Sequence, residues 1–145
     1  MRRSLATVAL VVRDYDEAIA FFVGVLGFAL VEDTPLGGGK RWVKVSPGNS
    51  GAALLLARAT DREQAAAVGR QVGGRVGFFI ETDDIGRDHA RWQAGGVVFE
   101  EEPRQEAYGR VAVFRDLYGN RWDLVEPAHG AGGPESGPEQ TAPNP

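Results

Sequence analysis

The chain has 145 residues, the size of one ordinary domain, and 16 Lys and Arg against 20 Asp and Glu give it a net charge of −4. This excess of acids excludes a broadly basic nucleic-acid-binding protein, because contacts to phosphates require clustered positive charge. The chain has no cysteine, which excludes disulfide scaffolds, thiolate zinc sites, iron–sulfur clusters and cysteine nucleophiles. Two histidines, His89 and His129, remain for imidazole chemistry.

The N-terminal segment predicts neither a cleaved signal peptide nor a membrane anchor. Arg2 and Arg3 precede a mostly apolar run over residues 6–12, but Arg13 and Asp14 end it and no usable cleavage site follows. A run of this length is too short to span a bilayer. We therefore expect a cytoplasmic protein whose partners include neither a membrane nor a nucleic acid.

The first half of the chain predicts one strand, one helix and three further strands, in that order. Thr7–Val12 is β-branched and apolar, as is typical of a strand. Asp14 opens a helix that ends at Gly27, and its apolar residues recur at helical spacing. These apolar residues are Ile19, Phe22, Val23 and Leu26. The three strands that follow are predicted over residues 28–31, 41–45 and 52–56.

The second half predicts the same order of elements. A strand over residues 76–80 precedes a helix from Asp84 to Ala94, and three strands follow over residues 97–99, 111–114 and 121–125. A shift of 69 residues aligns helix starts, helix ends and strand positions of the two halves. The aligned pairs are Asp14 with Asp83, Gly27 with Gly96, Glu32 with Glu101, Arg41 with Arg110 and Leu55 with Leu124. We infer an internal duplication.

The predicted domain covers residues 1–126, with one module over 5–58, a linker over 59–73 and a second module over 74–126. Thr60 and Glu63 have the spacing of a capping box, which predicts a short helix in the linker. Residues 127–145 hold five of the eight prolines and almost no large apolar side chain, so we expect a disordered tail.

Two segments carry a family resemblance. The first module opens with residues 11–14 (VVRD), 21–22 (FF) and 25–28 (VLGF), and the second closes with residues 114–116 (FRD) and 119–124 (GNRWDL). Both segments resemble the vicinal oxygen chelate superfamily, the group of glyoxalases, bleomycin-resistance proteins, fosfomycin-resistance enzymes and extradiol dioxygenases. The resemblance implies an α+β fold in which two βαβββ modules form a half-open barrel of mixed sheets around a cavity.

The resemblance also implies where a metal would be bound. Metal-dependent members carry His or Glu ligands on the first and last strands of each module. The two motifs align these positions with Thr7 and Asp123, and the 69-residue shift adds Val76 and Leu54. A threonine and one carboxylate cannot hold a divalent ion against water, so we predict neither a metal nor a cofactor here.

Other candidate metal ligands have simpler interpretations. His89 lies within the second predicted helix, on its buried stripe, so we interpret it as a core histidine. Glu100–Glu102 are consecutive residues at a strand end, where neighbouring side chains point to opposite faces. We interpret them as a solvated strand end.

Strand alternation predicts which side chains face the cavity, if Asp123 faces it. Leu56, Ile80, Ala9 and Val11 are then expected to point inward, while Trp122 and Leu124 face the helices. Trp42 and Tyr108 are candidate aromatic walls of the cavity, but the sequence does not decide which face of the sheet their side chains occupy. Arg41 and Arg110 are a candidate basic pair at the rim of the cavity. The candidate ligand-binding residues are Thr7, Leu54, Val76, Phe78, Tyr108, Arg110, Arg121 and Asp123. The alternative is that these side chains fill a packed core.

The sequence therefore predicts metal-independent binding of a small, partly apolar or aromatic molecule, as the resemblance to bleomycin-resistance-type members implies. Asp123 would anchor a cationic or hydroxyl group, and the resemblance implies a homodimer. The alternative is a lyase, isomerase or oxygenase of glyoxalase or dioxygenase type with a non-standard metal site, or a metal-free catalyst with Asp123 as general base. The sequence leaves catalysis open and identifies no catalytic residue.

Overall fold

A strand, a helix and three strands follow one another twice along the chain, once in each of two units. The computed structural model describes residues 1–128, and the boundary between the units lies after Gln71, with Val72 opening the second. The predicted tail lies outside the described residues from position 129 onward. Pro127 belongs to the last strand, so the folded segment extends beyond its predicted end at residue 126.

Unit 1 contains a four-stranded mixed sheet. Its strands are β1 (Thr7–Val12), β2 (Ala29–Gly37), β3 (Lys40–Ser46) and β4 (Ala53–Arg58). Helix α1 (Tyr15–Ile19) continues into a π-helical segment (Ala20–Val25), and a second helix, α2 (Arg62–Ala67), follows the sheet. The strand order is β1-β4-β3-β2, in which β1 pairs parallel with β4 and the remaining pairs are antiparallel.

Unit 2 repeats this topology. Its elements are β5 (Val76–Glu81), α3 (Ile85–Ala94), β6 (Val98–Phe99), β7 (Arg104–Glu106), β8 (Gly109–Arg115) and β9 (Arg121–Pro127). The strand order is β5-β9-β8-β6, with β7 also paired to β8, and β5 pairs parallel with β9. The α+β fold with two βαβββ modules is thereby confirmed, and each sheet is mixed and open. Strand β7 is an addition that the sequence pattern did not indicate.

Aspartates begin all three helices of the described residues. The carboxylates of Asp14, Asp61 and Asp84 accept hydrogen bonds from backbone amides three residues further on, at 2.9, 2.8 and 2.9 Å. These bonds satisfy amides that have no partner inside the helix. The predicted capping box from Thr60 is therefore wrong by one residue, because Asp61 is the cap and the Gln64 side-chain oxygen accepts a hydrogen bond from the Thr60 amide.

The core of unit 1 lies between α1 and one face of its sheet. On the helical side Tyr15, Ala18, Phe22 and Leu26 are buried, whereas Ile19 and Val23 are half-buried because the π-helical segment rotates the stripe. The buried face of the sheet consists of Leu10, Val12, Val43, Val45, Leu54 and Leu56. Complete burial of such side chains contributes roughly 1.5–3 kcal/mol each.

The outer edge of β1 is closed by a side chain rather than by a strand. The Gln71 amide donates to the Ala9 carbonyl at 2.7 Å and accepts from the Val11 amide at 2.8 Å. Gln71 therefore satisfies two backbone groups that an edge strand would otherwise expose.

We expect Gln71→Ala to free this edge and to lower the free energy of unfolding by about 1 kcal/mol, because two hydrogen bonds are lost. Amide hydrogen exchange should accelerate at Val11. Gln93→Ala, on the exposed side of α3, is the control and should leave Val11 protected. Unchanged exchange at Val11 in the Gln71 variant would contradict this role.

The core of unit 2 is aromatic. The rings of Trp92 and Trp122 pack against Phe114 at centroid distances of 5.2 and 5.7 Å. His89, which is 8% exposed, lies 4.3 Å from the ring of Phe99 on the same side of the sheet. The interpretation of His89 as a core residue is thus consistent with its position.

Asp116 organises the turn between β8 and β9. Its buried carboxylate accepts hydrogen bonds from the Tyr118 amide, the Asn120 amide and side chain, and the Trp122 indole, all at 2.9–3.0 Å. These four bonds tie the turn to the aromatic core and determine where β9 begins.

We expect Asp116→Ala to lower the free energy of unfolding by roughly 2–4 kcal/mol, because it leaves several buried donors unpaired. Chemical denaturation measures the loss. Asp83→Ala removes a carboxylate whose side chain is 86% exposed, and its stability should stay close to that of the parent. Equal stability of the two variants would show that the turn does not depend on Asp116.

Candidate functional site

Asp123 lies in the middle of β9, and the pairing of that strand determines which side chains share its face. Residues that are directly paired across a ladder lie on the same face of a sheet. Asp123 pairs with Phe79 of β5 and with Val113 of β8. This surface, here termed the Asp123 face, comprises Phe79, Val111, Val113, Arg121, Asp123 and Val125.

The opposite face of the same sheet packs on α3. Trp122 and Leu124 are 2% and 0% exposed and lie on this face, as predicted. Glu126 lies on it as well, and its carboxylate accepts a hydrogen bond of 2.8 Å from the Ile85 amide at the start of α3. Val76, which pairs with Arg121, lies on the Asp123 face and is 2% exposed.

A bulge in β5 changes the direction of its side chains. Val76 pairs with Arg121 but Phe78 pairs with Trp122, so Gly77 is the extra residue. The ring of Phe78 stacks on Trp122 with centroids 4.5 Å apart, on the face opposite Asp123. The expected inward direction of Phe78 is therefore wrong, and Phe79 takes its place on the Asp123 face.

Gly77 is required by a close approach of the chain. A Cβ atom added at this position would lie 2.4 Å from a methyl group of Val72. A glycine inside a strand pattern is a sequence signal for a bulge, and it could have corrected the predicted direction of Phe78. The expected inward direction of Ile80 is wrong for the same reason, because Ile80 pairs with Leu124 on the face opposite Asp123.

Arg110 does not belong to the Asp123 face. It pairs with Glu126, the residue that contacts the start of α3, and it is exposed. Its expected position beside the cavity is therefore wrong. Arg41, its counterpart in unit 1, forms ion pairs with Asp16 and Asp33 at 2.8 and 2.7 Å within that unit.

Leu54 belongs to the core of unit 1. It pairs with Val8, whereas Thr7 pairs with Ala53, so Leu54 and Thr7 lie on opposite faces. Arg58, on the face of Leu54, places its guanidinium 5.3 Å from the ring centroid of Tyr15 in α1. The predictions that Leu54 and Leu56 point into the cavity are therefore wrong. The 69-residue shift misplaces β4 by one residue, and neighbouring residues of a strand point to opposite faces. Thr7 is half-buried at the start of β1.

The Asp123 carboxylate is buried without a complete set of partners. Its side chain is 1% exposed, and its Oδ1 atom accepts no hydrogen bond from any residue of the described segment 1–128. Burial raises the pKa of Asp123, and the positive charges of Arg104 and Arg121 oppose that rise. A buried acceptor left open in this way costs stability.

The arginines nearest to Asp123 are bound by glutamates. Arg121 donates two hydrogen bonds of 2.9 Å to Glu100, and this contact lowers the pKa of Glu100. Arg104 donates to Glu106 at 2.8 Å and also bonds Glu101. Neither guanidinium therefore pairs with Asp123 itself. Glu100 and Glu101 follow the end of β6 and Glu100 is exposed, which agrees with the interpretation as a solvated strand end, and arginines bind both carboxylates.

Tyr108 supplies a second open polar atom. Its hydroxyl is buried in the turn between β7 and β8 and makes no hydrogen bond of good geometry with residues 1–128, but the Arg104 guanidinium lies close enough to lower its pKa by a side-chain contact. Burial raises the pKa of Tyr108, and the charge of Arg104 opposes this effect. The negative charge of Asp123 also raises the pKa of Tyr108, so the two side chains lie close enough to interact electrostatically. The sequence pattern included Tyr108 in the site but missed Arg104, because it gave no sign of strand β7.

The family is decided by comparison with known proteins. The family model described as the Glyoxalase/Bleomycin resistance protein/Dioxygenase superfamily matches residues 4–124. The chain belongs to this superfamily. The predicted family resemblance is thereby confirmed.

Similar proteins come from several bacteria. An uncharacterized protein of Shewanella frigidimarina (strain NCIMB 400) is 53% identical over 128 residues, which are 87% of this chain and 95% of that protein. The crystal structure of UcmS2 is 28% identical, with a TM-score of 0.75 over 87% of this chain and 99% of that one. TnmS3, an antibiotic binding protein from Streptomyces sp. CB03234, is 29% identical, with a TM-score of 0.70 over 88% of this chain and 98% of its own.

The side chains of this superfamily member do not fit a divalent metal. Of the implied ligand positions Thr7, Leu54, Val76 and Asp123, only Asp123 is a good metal ligand, and moving Leu54 to its neighbour Leu55 adds none. Within the described part of the chain, no cluster of three or more His, Cys, Asp or Glu could hold a metal ion. Across the same residues, no helix is long and apolar enough to cross a membrane.

We expect Asp123→Asn to stabilise the protein at neutral pH by about 1 kcal/mol, because it removes a buried charge. The raised pKa means that the folded protein holds this proton more tightly than the unfolded chain, in which Asp titrates near 3.8. Stability is therefore lost as the pH rises from 3.8 through the raised pKa, and the gain in the variant should vanish at the acid end.

Thermal unfolding of both proteins across this pH range measures the difference. Asp83→Asn, which removes an exposed carboxylate of the same unit, should show no gain that grows with pH. A stability difference between Asp123→Asn and the parent that is independent of pH would contradict the raised pKa.

Proposed function

We propose that this protein binds a small, partly apolar molecule without the help of a metal, and that Asp123 is the anchor of that molecule. The observation that carries the proposal is the open Oδ1 atom of the buried Asp123 carboxylate. Proteins rarely retain a buried charge without a partner unless it has a function. A ligand that donates a hydrogen bond supplies the missing partner.

The surroundings of Asp123 suit a ligand with an apolar body. Val111, Val113 and Val125 lie on the same face of the sheet and form an aliphatic floor beside the carboxylate. Tyr108 adds a second polar point through its buried hydroxyl. Apolar walls with a few convergent polar groups are typical of small-molecule sites.

Access to Asp123 requires side chains to move, because the carboxylate is 1% exposed. Arg104 and Tyr108 lie on the short strand β7 and the turn after it, and β7 pairs with β8 alone among the described strands. An element held at one edge opens more readily than a central strand. We expect this hairpin to shift when the ligand enters.

The similar proteins support binding rather than any one reaction. TnmS3 is an antibiotic binding protein, and its likeness to this chain extends over nearly the whole described segment. Binding without a metal agrees with the side chains of residues 1–128, among which no cluster of three or more His, Cys, Asp or Glu could hold a metal ion. The cytoplasmic location and the homodimer expected from the sequence stay predictions.

One observation favours a second candidate function. Burial raises the pKa of Asp123, and a carboxylate of raised pKa in an apolar site can act as a general base. The protein would then be a metal-free enzyme. Conversion of a bound compound, followed by mass spectrometry, separates this candidate from binding alone.

A thermal-shift screen of small aromatic compounds tests the proposed function. A binder present at a hundred times its Kd should add about 2.7 kcal/mol of stability. In calorimetry, Asp123→Asn should weaken that binder at least about tenfold, as the loss of a charged hydrogen bond predicts. Asp83→Asn should leave the Kd unchanged. Equal affinity of the parent and Asp123→Asn would remove Asp123 from the site.

A further inference from the structure

The charges around Asp123 are distributed unevenly. The guanidinium groups of Arg115 and Arg121 both bind Glu100, at 2.9 Å each, and Arg104 binds Glu101 and Glu106. Each arginine near the Asp123 face is thus compensated by glutamate. Asp123 is left as a buried carboxylate whose Oδ1 atom has no hydrogen-bond partner among residues 1–128.

This arrangement separates two kinds of ligand. A neutral hydroxyl can donate to Oδ1 but leaves the buried charge without compensation, whereas a cation supplies both the hydrogen bond and the opposite charge. Charged pairs gain more in a buried, low-dielectric site than at the surface. The glutamates hold the arginines in ion pairs, so the protein does not itself provide that cation.

We propose that the group bound by Asp123 is a positive charge, such as a protonated amine, carried on an apolar ring. This inference rests on the proposed function and specifies its ligand class.

Proton linkage follows from the same groups. The charged residues that act on Asp123 are Glu100, Arg104 and Arg121. The two arginines stay charged at every relevant pH, and the contact with Arg121 lowers the pKa of Glu100. Affinity for a cation should therefore rise with pH above 3.8, until Asp123 is fully ionised, and then become constant.

Matched probes that differ only in charge test the inference. Tyramine is a monocation with a phenol at its far end, and tyrosol is the neutral alcohol on the same skeleton. Their Kd values can be measured by NMR titration of the full chain, with the methyl groups of Val113 and Val125 as reporters. We expect tyramine to bind at least about tenfold more tightly than tyrosol.

Two variants identify the residues responsible. In the Asp123→Asn variant, tyramine and tyrosol should bind with about the same Kd. The Asp83→Asn variant should still bind tyramine more tightly than tyrosol. Tyr108→Phe should weaken tyramine but leave phenethylamine, which lacks the phenol hydroxyl, unaffected. Both variants are first checked for a native NMR spectrum, and Asp123→Ser is a second neutral variant should Asp123→Asn not fold.

The outcomes distinguish the two proposals. If tyrosol binds as tightly as tyramine, and Asp123→Asn weakens both equally, the cation inference is overturned and the proposed function stands. If no probe perturbs the Val113 and Val125 methyl groups, or if Asp123→Asn changes no Kd, both proposals fail.

Discussion

The alternation of side chains along β9 is the constraint on which the rest of unit 2 depends. Trp122 and Leu124 point into the aromatic core beneath α3, so Asp123 between them must point to the opposite face. Ladders on both sides of β9, and the hydrogen bond from Trp122 to Asp116, hold the strand in this register. Asp123 cannot turn away from its buried position unless Trp122 leaves the core. The stability of the core therefore compensates for the cost of a buried carboxylate.

The ion pairs around Asp123 convert this constraint into a binding property. Arg104 and Arg121 form ion pairs with glutamates. Their positive charges therefore lower the pKa of Asp123, against the effect of burial, without forming a hydrogen bond to its Oδ1 atom. The result is an acceptor whose direction β9 fixes before a ligand arrives, although the proposed entry of the ligand still requires the β7 hairpin to shift. The fixed direction reduces the free energy that a ligand must spend on ordering the acceptor. At the four ligand positions that the family resemblance implies, this chain has one carboxylate, that of Asp123. Among residues 1–128 no cluster of three or more His, Cys, Asp or Glu could hold a metal ion.

Most of the fold could be predicted from patterns that are local in the sequence. Helix-capping aspartates, the period of the apolar residues and the glycine after α1 identify the elements, and their repetition identifies the two modules. Properties that depend on pairing between strands could not be predicted in this way. The bulge at Gly77 and the register of β4 each shift the phase by one residue, and such a shift sends Phe78 and Leu54 to the opposite face.

The candidate site was predictable to a similar extent. Asp123 and Arg121 lie on β9, whose alternation the pattern indicated correctly, and Val76 precedes the bulge of β5, so all three share one face. Arg104 was missed because β7 has three residues, all polar, and no periodicity reveals so short a strand. The pairing of Arg121 with Glu100 joins residues 21 positions apart, and only the folded chain brings them together.

A crystal structure of the protein with a bound ligand would show whether Asp123 anchors it. We expect electron density for a donor atom of the ligand within about 3 Å of Asp123 Oδ1, with the body of the molecule over Val111 and Val113. Density for the ligand at any other place, with the Asp123 carboxylate still buried and unpaired, would contradict it.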